Sequence, residues 1–264
     1  MPILYLIPLP FLCLLILFPC LVIGLGGAWI VRRLGWMAAQ EDNDAIVLTH
    51  AFAGMLYAVA LGLMVVNVQS DYSEVKLVVM QEANMAEDLF MDSQGLAGAE
   101  RIEIQNLMRS YLSAVIAEWP DIGDNKDSEL PSHEYLEGLT STLLNYMPEN
   151  DKDLVIYAEM FSVLNGMLDL RRERLHLGRE GVGPVTWLVV AVGALITIGM
   201  TWFYRTNSAR TQYALVGVMS VMFGMMIFLI VAMDHPILGT FSVDSTPFEE
   251  SRLDIEVWEQ NLRQ

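Results

Sequence analysis

Hydrophobic residues are concentrated in four long stretches of this chain. Each has about 20 residues or more, enough for a helix that rises ~1.5 Å per residue to cross a hydrocarbon core of ~30 Å. Between the second and third stretches, roughly 115 residues contain no further span. The pattern predicts an all-α membrane protein with four transmembrane helices and a helical soluble insert, and the stretches cover residues 3–31, 46–68, 185–204 and 211–233.

The spans divide the chain into four segments. Residues 1–70 hold the first two transmembrane helices, and residues 71–183 form the insert. Residues 184–235 hold the other two, and residues 236–264 form an extended run followed by an amphipathic helix. Because the number of spans is even, we expect both termini on the same side of the membrane as the insert.

Basic residues indicate which side faces the cytoplasm. Cytoplasmic loops carry an excess of Lys and Arg. The two short loops hold four arginines and the insert holds five basic residues near its membrane ends, which favours a cytoplasmic insert by a small margin. The loop residues are Arg32, Arg33, Arg205 and Arg210, and the insert residues are Lys76, Arg171, Arg172, Arg174 and Arg179.

Apolar residues at a spacing of 3–4 predict several helices outside the spans. The second span continues into the insert, because residues 67–92 contain no Gly or Pro, so one helix is expected over about 45–92. Four further helices are expected, with an acidic loop at 121–130. The first covers 99–119, and the second has the apolar face Leu136, Leu139, Leu143 and Met147. The third begins at Pro148 with the face Leu154, Leu164 and Leu175, and the fourth begins at Thr246 with the face Phe248, Leu253, Val257 and Leu262.

Two charged residues interrupt these apolar faces. Glu82 replaces an apolar residue on the extended second helix, and Arg171 does so on the helix after Pro148. A buried carboxylate without a partner costs several kcal/mol or takes up a proton. We therefore predict a buried Glu82–Arg171 ion pair that fixes the register of two helices, a role in gating being the alternative. The substitute partners for Glu82 are Arg172 and Arg174.

The charge balance restricts the partners of the protein. The chain has 32 acidic and 15 basic residues, a net charge of -17, although 54% of its residues are hydrophobic. Residues 71–183 alone hold 22 acidic and nine basic residues, a net charge of −13. Such a surface repels nucleic acid and enriches cations. We expect no nucleic-acid partner, and we expect any permeating ions to be cations rather than anions.

No motif for catalysis or cofactor binding is present. The sequence has no P-loop, GxSxG, HExxH or Gly-rich dinucleotide turn. Cys13 and Cys20 lie within the first span and are interpreted as small apolar-facing thiols. We therefore expect no enzymatic activity and no cofactor. We also expect no metal site, because no pair among His50, His133, His176 and His235 has metal-ligand spacing.

The second span is the best candidate to line a pore. It carries no interior charge of the kind that transporters use, and it is rich in small residues that suit packing in an oligomer. A pore between such helices is narrow and apolar and closes by dewetting. The same stripe would also suit a helix-packing core. It consists of Phe52, Met55, Leu56, Val59 and Leu63.

Several short motifs occur in a defined order along most of the chain. They are Leu61-Gly62-Leu63, Glu82-Ala83-Asn84, Tyr111 to Glu118-Trp119, Arg171-Arg172-Glu173-Arg174-Leu175, Pro236 to Gly239, Val243 and Pro247-Phe248. Together with the four-span layout, this set resembles the bacterial bestrophin-like membrane proteins, distant relatives of the bestrophin ion channels.

The resemblance implies an architecture and an activity. Bestrophins form a ring of five chains around an axial pore, with their soluble helices as a cytoplasmic vestibule. They conduct ions, mostly chloride, and some are gated by calcium. This chain lacks their aromatic-rich signature after the second span and their acidic run directly after the fourth. Its acidic residues in that region are only Asp244, Glu249, Glu250 and Asp254.

Two classes of function stay open. The first is a pentameric channel in the bacterial inner membrane, whose partners are lipid, permeating ions and further copies of the chain. The second is a non-conducting membrane scaffold or sensor that binds a cytosolic protein through the acidic insert. A channel leaves one face of the second span free of lipid and protein contacts, whereas a scaffold buries every face.

Overall fold

The computed structural model describes residues 7–96, 98–122, 130–238 and 241–262. The described residues form α-helices joined by turns and short 3₁₀ segments: α1 (Leu9–Leu34), α2 (Asn43–Asp92), α3 (Ala99–Glu118), α4 (Pro131–Asn145), α5 (Asp151–Leu177), α6 (Pro184–Trp202), α7 (Ala209–Met233) and α8 (Thr246–Leu262).

Four of these helices, α1, α2, α6 and α7, are long and apolar enough to cross a membrane. This confirms the predicted all-α class with four spans and a helical insert. Among the described residues, α1 begins at Leu9, with Pro8 before it and Pro10 in its first turn. The predicted start at residue 3 lies outside the described residues.

The second helix is a single rod of 50 residues. At ~1.5 Å per residue it is ~75 Å long. Its bounds confirm the helix predicted over 45–92 to within two residues. The 3₁₀ turn Ser93–Gly95 follows it, and Gly98 then adopts a left-handed conformation with φ 91° just before α3.

The described chain separates into two compact units. The first, here called the membrane unit, contains the chain up to Ser70, residues 181–235 and Phe241. The second, called the insert unit, contains residues 71–180, 236–238 and the chain from Ser242 onward. Helix α2 therefore contributes its first part to one unit and its second part to the other.

Glycines allow close helix packing in the membrane unit, as is usual for transmembrane helices. Helix α1 packs against α6 and α7, which also contact each other. A side chain at Gly24 would collide with Ser220, and one at Gly193 would collide with the ring of Tyr57. The Tyr57 hydroxyl donates to the carbonyl of Val190 at 2.5 Å, so α2 is joined to α6.

The insert unit has a hydrophobic core to which α2, α3, α4, α5 and α8 all contribute. Helix α3 packs against α4 and α8. Apolar residues at a spacing of 3–4 predict one buried face for the helix expected at 99–119, and every member of that face is buried: Ile104, Met108, Tyr111, Val115 and Trp119.

Three details of the predicted insert are wrong. Helix α5 begins at Asp151 and not at Pro148, because Asn150 caps it by accepting a hydrogen bond from the backbone of Asp153 at 3.0 Å. Met147 is 84% exposed, since α4 has already ended. Leu154 is also exposed, because the buried face of α5 is displaced from the predicted one and consists of Met160, Leu164, Met167, Arg171, Arg174 and Leu175.

The predicted face of α8 is also wrong at Leu253 and Val257. Phe248 is buried, but Leu253 and Val257 are more than half exposed. Helical spacing from Phe248 leads instead to Ser251 and Ile255, which are buried. The side chain of Leu262 and most of the loop predicted at 121–130 lie outside the described residues.

We expect replacement of Gly27 by alanine to destabilise the membrane unit. The new Cβ would lie 2.2 Å from Cε2 of Trp202. Overpacking of this kind costs ~1–3 kcal/mol, more than the ~1 kcal/mol that alanine gains in helix propensity. Gly26→Ala is the matched control, because nothing lies within 4 Å of its new Cβ. Thermal unfolding in detergent should show a lower midpoint for Gly27→Ala only, and equal midpoints would contradict the packing.

Candidate functional site

Glu82 on α2 is the centre of a buried charge cluster in the insert unit. Its side chain is 0% exposed. Arg174 on α5 donates to both carboxylate oxygens, from Nε at 2.6 Å and from Nη2 at 3.0 Å. Tyr111 on α3 donates its hydroxyl to Oε1 at 2.5 Å. Three helices are thus joined at one carboxylate by charge-assisted hydrogen bonds, which are among the strongest that proteins form.

A second buried ion pair lies in the same unit. Arg171 Nη1 lies 3.5 Å from Oε1 of Glu118 and donates to Oγ of Ser132 at 2.6 Å. The carboxylate of Glu118 accepts from both the hydroxyl and the backbone nitrogen of Ser132, at 2.6 and 3.0 Å. Since Ser132 lies in the first turn of α4, this pair ties α3, α4 and α5 together.

Aromatic rings surround both guanidinium groups. Arg174 Cζ lies 5.3 Å from the ring centre of Trp119 and 5.5 Å from that of Phe248 on α8. Arg171 Cζ lies 6.0 Å from the ring centre of Tyr111. Arginine stacks well on aromatic rings because its guanidinium is planar and weakly hydrated. The cluster therefore also holds α8 against the rest of the unit.

The surroundings of Tyr111 and Arg174 keep each of these two side chains in one protonation state. Burial raises the pKa of the Tyr111 hydroxyl, and the adjacent Glu82 carboxylate raises it further. Burial alone would lower the pKa of Arg174, but the Glu82 carboxylate outweighs it and holds that pKa above its ordinary value. Tyr111 stays neutral and Arg174 stays charged over the physiological range of pH.

The predicted pairing of Glu82 with Arg171 is wrong in its partner. Both residues are buried as expected, but the guanidinium on Glu82 is that of Arg174, one of the two substitutes. Arg171 and Arg174 lie on the same face of α5, ~4.5 Å apart along its axis. The true buried face of α5 continues from Arg171 to Arg174, and the predicted face, which continued to Leu175, missed this step.

Sequence reasoning also missed Glu118 and Ser132. Glu118 follows Val115 at helical spacing, so it lies on the buried stripe of α3, and this signal was present in the sequence. The role of Ser132 depends on how α4 packs, which no local pattern indicates. Among the described residues, the carboxylates of Glu82 and Glu118 face the guanidiniums of Arg174 and Arg171, and such buried pairs act as a structural clamp.

The predicted pore stripe is on the membrane part of α2. His50, Tyr57 and Leu61 form the packed face of this helix, and the ring of Tyr57 lies against Phe223 on α7. The five stripe residues are exposed in the single chain: Phe52 64%, Met55 67%, Leu56 73%, Val59 56% and Leu63 62%.

The stripe is on the opposite side of α2 from the packed face. At 3.6 residues per turn, Val59 lies ~180° around the helix from His50. An exposed apolar row of this length requires lipid, a second chain or a dry pore in front of it, because water does not solvate it favourably. The single chain thus leaves this face without a partner among the described residues.

Most of the chain matches the model of one protein family. The model of the Bestrophin-like domain matches residues 19–248. The chain belongs to the bestrophin-like family. The match includes α2, both ion pairs and Phe248, so the features described above lie within the family's own domain.

Solved structures support the same fold. Two crystal structures of a bacterial Bestrophin homolog from Klebsiella pneumoniae, one with a tyrosine-to-alanine and one with a leucine-to-threonine mutation, resemble this bestrophin-like chain. The first has 14% identity and a TM-score of 0.64, covering 92% of this chain and 97% of the other. The second has 12% identity and a TM-score of 0.67, covering 92% and 98%. No curated protein matches the chain.

We expect Glu82→Ala to destabilise the bestrophin-like chain by about 3–5 kcal/mol, because it leaves the buried Arg174 without its carboxylate. The double change Glu82→Leu with Arg174→Met should recover most of this loss, because a buried ion pair is often replaceable by apolar residues. Thermal or urea unfolding in detergent measures both.

The control for this experiment is Asp169→Ala. This change removes the ion pair between Asp169 and Arg172, both of which are mostly exposed. Exposed pairs contribute little to stability, so the unfolding midpoint should hardly move. Equal effects of Glu82→Ala and Asp169→Ala would contradict a special role of the buried cluster.

Proposed function

We propose that this chain is one subunit of a homo-oligomeric ion channel whose pore is lined by α2. The observation that carries the proposal is the exposed apolar row on α2, centred opposite the face that packs within the chain. Membership of the bestrophin-like family supports a channel, because bestrophins conduct ions. The oligomer is a ring of five chains by the same resemblance.

Extensive exposed apolar surface supports assembly into an oligomer. In the four candidate spans, between 11% and 33% of the residues in the most apolar window are buried within the chain. Lipid covers part of the remaining surface, and neighbouring subunits cover another part. We propose a location in the bacterial inner membrane with the insert unit in the cytoplasm.

The proposed gate is a narrow ring of apolar side chains. Phe52, Met55, Leu56, Val59 and Leu63 from each chain surround the axis. Water does not form a stable column in such a constriction, so conduction requires widening or wetting of the ring. This mechanism needs no catalytic group, cofactor or metal.

The charge of the insert favours cations. Residues 71–183 carry a net charge of −13, which several copies around a pore mouth would multiply. Such a field enriches cations within about a Debye length of ~8 Å at physiological salt. A reversal potential measured across a potassium chloride gradient should therefore lie nearer the potassium than the chloride equilibrium potential.

We expect Leu56→Ser to increase single-channel conductance or open probability in planar bilayers. The hydroxyl offers hydrogen bonds to water and so lowers the barrier to wetting of the ring. Leu188→Ser on α6 is the matched control, because Leu188 is similarly exposed, at 63% against 73%, but lies on another helix. It should leave the conductance of the wild type unchanged.

Two outcomes would contradict the proposal. If wild type and Leu56→Ser are both silent after verified insertion into bilayers, the chain is a membrane scaffold or sensor. If Leu188→Ser raises conductance as much as Leu56→Ser, then the pore is not lined by the stripe on α2.

A further inference from the structure

A groove of about 430 Å³ lies between α2 and α7 in the membrane unit. It is distinct from the proposed pore, because none of its α2 residues belongs to the stripe proposed to line that pore. One wall is formed by residues of α2 and the other by residues of α7, with Tyr204 near one end. The lining is Val47, His50, Ala51, Gly54, Ala58, Leu61, Tyr204, Met219, Met222, Phe223 and Met226.

The two walls have complementary compositions. On α2, Ala51, Gly54 and Ala58 recur at helical spacing and form a shallow floor. On α7, methionines at the same spacing form the facing wall. Methionine is flexible and polarizable and adapts to irregular apolar partners. The groove is therefore shaped to accept a flexible hydrocarbon.

Helix packing does not explain the glycine in this floor. A Cβ at Gly54 would make only ordinary contacts, 3.7 Å from His50 Cδ2 and 3.8 Å from Thr197 Cγ2. By contrast, a Cβ at Gly193 would lie 2.3 Å from the Tyr57 ring. Gly54 is thus not needed for close helix approach, and its missing side chain keeps the groove open.

One end of the groove is polar. His50 and Tyr204 are hydrogen-bonded to each other there, and Tyr204 is followed by the exposed Arg205. The backbone nitrogen of Arg205 donates to Oδ1 of Asn43 at 2.9 Å, which fixes it beside the start of α2. Asp44 lies ~100° further around α2. Nη1 of Arg205 donates to the neutral carbonyl of Ala38 at 3.5 Å, and no described acidic residue forms an ion pair with it, so its charge is available to a phosphate group.

The groove covers part of the thickness of a bilayer. From Val47 to Leu61 it extends ~21 Å along α2, about two thirds of a hydrocarbon core of ~30 Å. We propose that the groove binds an acyl chain of an anionic phospholipid from the leaflet beside the two short loops, with the lipid phosphate next to Arg205. This site does not depend on whether the protein conducts ions.

The test is native mass spectrometry of the detergent-purified protein titrated with phosphatidylglycerol. Wild type should bind one lipid tightly per chain. Gly54→Leu and Ala58→Leu fill the floor and should each weaken this binding about tenfold or more, because each buried methylene contributes a factor of about four to affinity. Arg205→Gln should remove the preference for phosphatidylglycerol over phosphatidylcholine.

The matched control is Gly26→Leu on α1, where the new Cβ has nothing within 4 Å. It should bind phosphatidylglycerol like wild type. Size-exclusion elution and the thermal midpoint verify that each variant is folded. Because Gly54→Leu and Ala58→Leu are independent replacements, failure of one to fold leaves the other as a test.

Three outcomes would overturn the proposal. Folded Gly54→Leu and Ala58→Leu could both bind phosphatidylglycerol as wild type does, or Gly26→Leu could lose binding equally. Alternatively, the groove variants could change the number of chains in the assembly while lipid binding is unchanged, which would identify a second copy of the chain as the occupant. Conductance is not a readout here, so failure of this proposal and failure of the channel proposal are distinguishable.

Discussion

The bidentate contact between Arg174 and Glu82 is the interaction on which the insert unit depends. Taking either charge out of water alone would be costly, so the two are buried together. Nε and Nη2 of Arg174 bond the carboxylate, whereas its buried Nη1 has no hydrogen-bond partner. Tyr111 completes the carboxylate's bonding, and the rings of Trp119 and Phe248 cover the guanidinium. Helices α2, α3, α5 and α8 can satisfy this cluster only in one relative arrangement.

The second pair extends the same constraint to α4 through Glu118 and Ser132. An all-apolar core could slide by a turn at little cost, whereas a buried charge displaced by one turn loses its partner. We infer that the cluster contributes specificity of register more than net stability. Helix α2 contributes residues to both units, so one helix carries both the clamp and the exposed apolar row.

The sequence predicted the elements better than their faces. The spans, the long α2 and the stripe of α3 follow from local periodicity, which is strong where apolar residues are dense. On α5 the predicted stripe included Leu175 and left out Arg174, although both are buried, and on α8 it included the exposed Leu253 instead of the buried Ile255. Only the packing of other helices decides between such alternatives, and therefore the partner of Glu82 was chosen one turn too early.

The two proposals assign different roles to two sides of α2. One side lines a pore, and the other forms part of a lipid groove. The central claim is that the exposed row of α2 surrounds an axis. The most direct measurement is a cryo-electron microscopy map of the protein in lipid nanodiscs. The account predicts a ring of five chains with Phe52 to Leu63 facing a central space free of protein and lipid. A map in which this row packs against another helix or faces lipid would contradict it.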